Sequence, residues 1–221
     1  MSKGVFITLE GGEGAGKSTQ LRLVGEALRE RGHDVLITRE PGGSPGAEDL
    51  RQLLLFGNNP LSLRAEILAH FAARYDHVDR VILPALEAGQ IVLCDRFTDS
   101  TLAYQGYGRA AGQADILDLI HNLTTMLALR PDRTFLLEVP RTIARQRLAA
   151  RAGRPARYEQ ADEDFHARVA AGFEAMALHE PDRVRRVNTA QEEAGPSRHR
   201  AGADILAPVC QAGGRAAGGQ A

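Results

Sequence analysis

The sequence predicts an α/β fold: a doubly wound, parallel, five-stranded sheet flanked by helices, with a small mobile lid. Three observations predict it. Short apolar runs lack the in–out alternation of half-exposed strands, which suits strands buried on both faces. Helical repeats separate these runs, and strands alternating with helices build parallel sheets. A glycine-rich loop joins the first run to the first helix.

VFITLE, residues 5–10, opens the sheet and leads into GGEGAGKST, residues 11–19. Leu21, Val24 and Leu28 then repeat at helical spacing, and Arg31-Gly32 closes that helix. DVLIT (34–38) is the second strand, followed by TREPGG (38–43). Leu63, Ile67 and Phe71 mark a long helix, with Ser62 as its N-cap and Gly89 as a distant stop. IVLCD (91–95) and RTFLLEV (133–139) are the third and fourth strands. Phe165, Val169 and Phe173 mark a further helix, opened by Asp162-Glu163-Asp164, since a helix N-terminus favours negative charge. RVRRV (183–187) alternates and belongs near a sheet edge. Residues 1–210 are expected to form one domain, with a lid at about 147–160, and the Gly/Ala-rich tail 211–221 to be disordered.

With 221 residues and 43% hydrophobic content, the chain has enough for one well-cored domain. A net charge of −1 argues against a dedicated nucleic-acid binder. No apolar run reaches the ~20 residues of a membrane span, and no signal peptide precedes the first strand, so a cytoplasmic protein is expected. The two cysteines, Cys94 and Cys210, cannot form a metal site or a disulfide framework, and Cys94 sits in an apolar run and reads as inert core. The seven histidines show no metal-ligand spacing; His70 and His77 read as surface or packing.

Gly11, Gly16, Lys17 and Ser18 fill the pattern G-x-x-x-x-G-K-[ST], between a buried strand and an amphipathic helix. Glycines let backbone N–H groups converge on phosphate oxygens, and the helix start adds partial positive charge. The stretch Gly11, Gly12, Glu13, Gly14, Ala15, Gly16, Lys17, Ser18 and Thr19 is the expected ATP site. Lys17 would reach the β/γ-phosphates, and Ser18 with Asp95 would hold Mg²⁺. The loop alone does not separate a kinase from a switch or a motor. FAAR (71–74) and DRFTDSTLAYQGYGR (95–109) narrow the choice, because with TREPGG they can border the crevice at the strands' carboxyl ends.

Together LEGGEGAGKSTQ, TREPGG, FAAR and DRFTDSTLAYQGYGR make the chain similar to the bacterial thymidylate kinases, from Val5 to about Thr189. The resemblance implies ATP-dependent phosphorylation of dTMP to dTDP. It assigns Phe71 to stacking on thymine and Arg74 to the base's carbonyl edge. Arg96 and Arg51, with Arg39 behind them, would take the acceptor phosphate, for which a planar, permanently charged fork is suited. Ser100, Thr101, Tyr104 and Gln105 would line the base and sugar, with Tyr104 excluding a 2′-hydroxyl. Glu13 would meet the sugar or the magnesium shell, with Glu10 beside it. Some relatives carry an arginine inside the phosphate loop, where this chain has Gly14. The segment RQRLAARAGRPARYEQ (145–160) then offers lid arginines, Arg151 and Arg157 first, Arg154 and Arg147 behind, with Gly153 and Pro155 breaking the helix.

Two departures stand out. Many bacterial relatives carry an acid where this chain has Ala156, so lid closure is expected to be looser or Glu159 to compensate. Gly195, Pro196 and Gly202 predict that the final helix starts late or is short. Relatives are homodimers, and residues 61–88 are the candidate interface. A kinase for another nucleoside monophosphate, such as dUMP, remains open, as does a nucleotide-hydrolysing switch, although no N-K-x-D guanine-reading motif occurs.

Overall fold

The computed structural model describes residues 4–151, 155–190 and 202–209. Its sheet is parallel throughout, in the order β2-β3-β1-β4-β5, with β1 at Val5–Glu10, β2 at Val35–Arg39, β3 at Ile91–Asp95, β4 at Arg133–Glu138 and β5 at Val184–Asn188. The central strands β1, β3 and β4 are the near-continuous apolar runs, and the alternating β5 lies at an edge, as its pattern predicts. Register brings Leu9, Arg39 and Asp95 into line at one end, where β3 pairs with both neighbours. Strand ends and following loops therefore converge on a single crevice.

Helix α1 (Lys17–Glu30) follows the phosphate loop and buries Leu21, Val24 and Leu28 against the sheet. It ends at Gly32, whose φ of 84° only glycine adopts freely, with the His33 N–H returning to the Leu28 carbonyl at 3.1 Å. Strand periodicity sends Val5, Ile7 and Leu9 to this side and Phe6, Thr8 and Glu10 to the other. Residues 202–209 are helical and bury Ile205 and Val209 in the α1-side core. Gly195, Pro196, Cys210 and the tail 211–221 lie outside the described residues.

On the opposite face, α2 (Pro45–Phe56) packs on α3 (Leu63–His77). A π-helical turn, Val78–Ile82, continues α3 into α4 (Leu83–Glu87), and Gly89 with φ 83° stops the run. Ser62 occupies the N-cap position of α3, but its side chain makes no capping bond. Beyond β3 come a short α5 (Thr98–Thr101), an eight-residue π-helical stretch Leu102–Arg109, and α6 (Ala114–Met126). After β4 follow α7 (Arg141–Ala149), a 3₁₀ turn Arg157–Gln160, and α8 (Glu163–His179). Asp162 caps α8 by accepting the Phe165 N–H at 2.7 Å. Helix α8 lies close against the π-helical stretch because Gly108 faces it: a methyl there would come within 2.7 Å of the Phe165 ring. Among the described residues no helix is long and apolar enough to cross a membrane.

Candidate active site

A cavity of about 650 Å³ opens at the carboxyl ends of the strands. One end is floored by the phosphate loop, Glu13 to Thr19. The other is walled by α2, α3, the segment after β3, and the turn at Tyr158. One continuous cleft of this kind can seat two ligands end to end.

The loop's shape follows from its glycines. Gly11, Gly14 and Gly16 have φ of 135°, 76° and 88°, and a side chain on Gly11 would collide with the Leu137 carbonyl. Lys17 folds back over the loop, donating to the carbonyls of Gly11 at 3.1 Å and Gly12 at 2.9 Å. Burial, and then the nearby Arg96, push its ammonium down to about 8. Ser18 donates to Asp95 Oδ2 at 2.7 Å, bringing two hard oxygen ligands together at the mouth of the loop.

Arg96 stands at the junction of the two ends, with φ 71°, a left-handed conformation that is rare for a side-chain residue. Its Nη1 donates to the Gly11 carbonyl at 2.9 Å and Ser100 Oγ at 3.1 Å. Its Nη2 donates to Glu13 at 2.9 Å and the Tyr104 hydroxyl at 3.1 Å, and the guanidinium also lies over the Tyr104 ring. Burial would disfavour its charge, but Tyr104, Glu13, Asp95 and Glu10 outweigh that and hold it firmly protonated. Burial would likewise raise the Glu13 carboxyl, yet Arg96 and Lys17 keep it low and ionised.

Arg74 reaches the cavity from α3. Its Nε donates to Glu40 at 2.7 Å, and Nη2 donates to the Phe97 carbonyl and to Thr101 Oγ1, both at 3.1 Å. Glu40 also faces His77 Nδ1 at 3.1 Å. The remaining nitrogen, Nη1, is buried without a hydrogen-bond partner among the described residues. A buried donor of a charged group left unpaired is costly, which makes it a ready contact for a ligand acceptor. Arg51 donates to the Pro41 carbonyl at 2.7 Å and lines the cavity, as does the more exposed Arg39, paired with Glu48 at 2.9 Å.

The residues from 9 to 195 match the family described as thymidylate kinase. The chain belongs to the thymidylate kinase family. A thymidylate kinase of Gluconobacter oxydans (strain 621H) is 60% identical over 189 residues, 86% of this chain and 88% of its own. Another, of Synechococcus sp. (strain JA-2-3B'a(2-13)), is 50% identical over 184 residues, 83% of this chain and 86% of its own. The crystal structure of thymidylate kinase from Ehrlichia chaffeensis matches with a TM-score of 0.74 at 32% identity, over 94% of this chain and 99% of that one.

Within this thymidylate kinase fold, most residues expected at the site do meet: Glu13 to Thr19, Arg39, Arg51, Arg74, Asp95, Arg96, Ser100, Thr101, Tyr104, Gln105 and Arg151 all line the cavity. Three expectations need correction. Phe71 is 2% exposed and does not line the cavity. It packs with Ile67, Ala110, Ile116 and Ile120, and the Arg74 guanidinium covers its ring at 4.8 Å. Glu10 also lies outside the wall. Pointing to the Phe6 side of β1, it accepts from the Phe97 N–H at 2.7 Å and Ser100 Oγ at 2.5 Å, and so holds the segment after β3 from beneath. Arg157 is turned away from the phosphate loop: it donates to the Gly57 carbonyl at 2.9 Å and lies 3.9 Å from Glu66. The buried Glu66 carboxylate draws it there.

The lid differs in detail. Helix α7 ends at Ala149, ahead of Gly153, and Arg154 lies outside the described residues. Arg147 donates toward the Gly14 carbonyl at 3.4 Å and to Thr189 O at 2.9 Å, so it stands beside the loop. Arg151 pairs with Glu159 at 3.4 Å, an acid within the lid where Ala156 supplies none. Glu66 was not singled out by sequence. It is fully buried and binds Gln105 at 3.0 Å, the Tyr158 hydroxyl at 2.9 Å and Arg109. Its only sequence signal is a charged residue beside Ile67 on an apolar helix stripe, an anomaly that asks for partners.

Glu10 makes stability depend on pH. Burial, then the nearby Asp99, raise its carboxyl from 4.5 to about 7. The folded chain therefore binds this proton more tightly, and the contribution present below pH 4.5 is lost as pH rises through about 7. Measured as chemical unfolding, wild-type stability relative to Glu10→Gln is expected to fall across that window. A difference that stays flat would contradict the assignment.

Proposed function

We propose that the chain catalyses transfer of the γ-phosphoryl group of ATP to dTMP, giving dTDP. The observation that carries this reading is one continuous cavity with a phosphate loop at one end and, at the other, Arg74 Nη1, without a hydrogen-bond partner among the described residues, the two bridged by Arg96. Residues 11–19 hold the ATP phosphates, with Lys17 exchanging its loop carbonyls for phosphate oxygens. Arg96, Arg51 and Arg39 receive the acceptor phosphate. Arg74, Thr101 and Gln105 face the base, and Tyr104 packs under the sugar where a 2′-hydroxyl would have to fit. Ser100 supports Arg96.

Ser18 and Asp95 suit Mg²⁺, since both are hard oxygen ligands and such ions are shared with substrate phosphates rather than enclosed by protein. Bound there, the ion would neutralise charge on the β- and γ-oxygens. The acceptor is already an anionic nucleophile, so the protein's work is alignment, charge stabilisation and exclusion of water, with no covalent intermediate. Arg147 and Arg151 are the lid cations placed to meet the transferring group.

Residues 1–210 act as one kinase domain with the lid at about 147–160, working in the cytoplasm. Two copies pair through residues 61–88, where Leu68 and Leu83 leave apolar surface exposed.

The test is Mg-dependent ADP formation with dTMP, dUMP, ribosyl-TMP, dCMP, dGMP or no acceptor. Turnover selective for dTMP is expected. Preference for dUMP would discard the methyl-accepting pocket, and acceptor-independent hydrolysis would discard the kinase reading.

A further inference from the structure

The two arginines that face the acceptor lean on a helix of four residues. Helix α5 carries Ser100 and Thr101, whose hydroxyls accept from Arg96 Nη1 and Arg74 Nη2, each at 3.1 Å. A single helical turn has no stability of its own, so anchors outside it decide where those hydroxyls stand. Glu10 is one anchor, accepting from the Phe97 N–H and Ser100 Oγ beneath the segment. Asp99 is the other, the α5 residue next to Ser100, and it does not line the cavity.

Asp99 is gripped from the far edge of the sheet. Arg183, the residue before β5, donates from Nη1 to Asp99 Oδ2 at 2.8 Å and from Nη2 to Asp99 Oδ1 at 2.9 Å. This is the two-bonded, planar pairing that fixes angle as well as distance. Its Nη1 also donates to Thr134 Oγ1 at 2.5 Å, and its Nε to Glu180 at 2.5 Å. Thr134 on β4 lies opposite Thr8 on β1, hydroxyl to hydroxyl at 2.7 Å. A polar chain therefore runs along one face of the sheet from β5 across β4 to β1, with Asp99 suspended from it. Arg183 and Asp99 are both buried. Burial would disfavour the arginine's charge, but its bonds to Asp99 and Glu180 outweigh that and hold it protonated.

We propose that Asp99 and Arg183 are positioning residues of the acceptor site: their fork sets the angle of α5 and, through Ser100 and Thr101, the placement of Arg96 and Arg74. This rests on the reading of the cavity as a dTMP site. A buried ion pair adds little net stability over apolar residues of like volume, so what this one supplies is orientation. Neither residue lines the cavity, and the phosphate loop is held by β1 and α1, so the effect falls on the acceptor.

The experiment is steady-state kinetics with each substrate varied, and thermal unfolding, for Arg183→Met, Asp99→Asn and the double variant Asp99→Leu/Arg183→Met. Arg186→Met is the control, because Arg186 makes an exposed ion pair with Glu138 on the same edge strand. Arg183→Met leaves the Asp99 charge buried and unpaired, and should lower the unfolding midpoint and raise KM for dTMP together. The double variant removes both charges and should recover most of the midpoint. Its KM for dTMP should nonetheless stay roughly ten-fold above wild type, with KM for ATP within about two-fold. Asp99→Asn keeps the side chain's shape and one acceptor oxygen, and should raise KM for dTMP by about three-fold. Arg186→Met should leave both KM values within about two-fold of wild type. The proposal is overturned if the double variant regains the wild-type KM for dTMP along with the midpoint, if KM for ATP rises as much, or if Arg186→Met matches it. Should the double variant not fold, Asp99→Asn decides, and a wild-type KM for dTMP there overturns the proposal. If wild type prefers a different monophosphate, the functional reading falls, and the same ratios taken with that acceptor still decide the role of the pair.

Discussion

Lys17→Ala is expected to lower kcat by about a thousand-fold, equivalent to about 4 kcal/mol of transition-state stabilisation, and to leave the fold intact. The ammonium is the one cation inside the phosphate loop, 7% exposed and parked on the carbonyls of Gly11 and Gly12. Those carbonyls hold it where β- and γ-phosphate oxygens would replace them. The protein pays for this placement in stability. Burial, and then Arg96, depress the ammonium from 10.5 to about 8, so the unfolded chain binds that proton more tightly. Wild-type stability relative to Lys17→Ala should therefore rise between about pH 8 and 10.5, and at pH 7 the variant should melt no lower than wild type. Steady-state turnover with ATP and dTMP checks the first claim, and chemical unfolding across that pH range checks the second. Turnover within ten-fold of wild type would remove Lys17 from the mechanism.

The phosphate end of the site was legible because its chemistry is local. A strand, a glycine loop, a lysine and a helix follow one another in sequence, and backbone geometry alone makes the residue types necessary. The strands were legible for a similar reason, since burial on both faces writes a continuous apolar run. The acceptor end is assembled from α2, α3, the segment after β3 and the lid, and its pattern is a matter of rotation about helix axes. Phe71 and His70 differ by one residue, or about 100° around α3, and an apolar stripe at Leu63, Ile67 and Phe71 names the core side, leaving its neighbour for the cavity. Glu10 shows the same limit on a strand. It sits next to Gly11 in sequence, yet the period of two sends it under the sheet to Phe97 and Ser100 rather than into the cleft. Arg157 was misread because its fate depends on Glu66, distant in sequence and buried. The buried Glu66 carboxylate already holds Gln105, Tyr158 and Arg109, and its charge attracts a further guanidinium within reach.

Arg96→Lys keeps the charge and is nonetheless expected to lower kcat/KM for dTMP by about a hundred-fold. The guanidinium spans four acceptors at once: Gly11 O, Ser100 Oγ, Glu13 and the Tyr104 hydroxyl, two on each terminal nitrogen. One ammonium nitrogen occupies one point, so the fork that spans from the loop carbonyl to the Tyr104 hydroxyl is lost. Charge itself is also less secure in a lysine here. Arg96 remains protonated against burial because its intrinsic affinity for the proton is high and Tyr104, Glu13, Asp95 and Glu10 add to it. The neighbouring Lys17, in the same surroundings, is already drawn down to about 8. A second ammonium beside it would compete for the same carboxylates, so the Arg96→Lys enzyme should gain activity as pH falls toward neutrality, where both ammonium groups are retained. Kinetics at several pH values with each substrate varied in turn separates the roles. A rise in KM for dTMP alone places Arg96 on the acceptor phosphate, and a fall in kcat alone places it on the transferring group. An equal rise in KM for ATP would mean that Arg96 serves the phosphate loop through Gly11 and does not hold the acceptor.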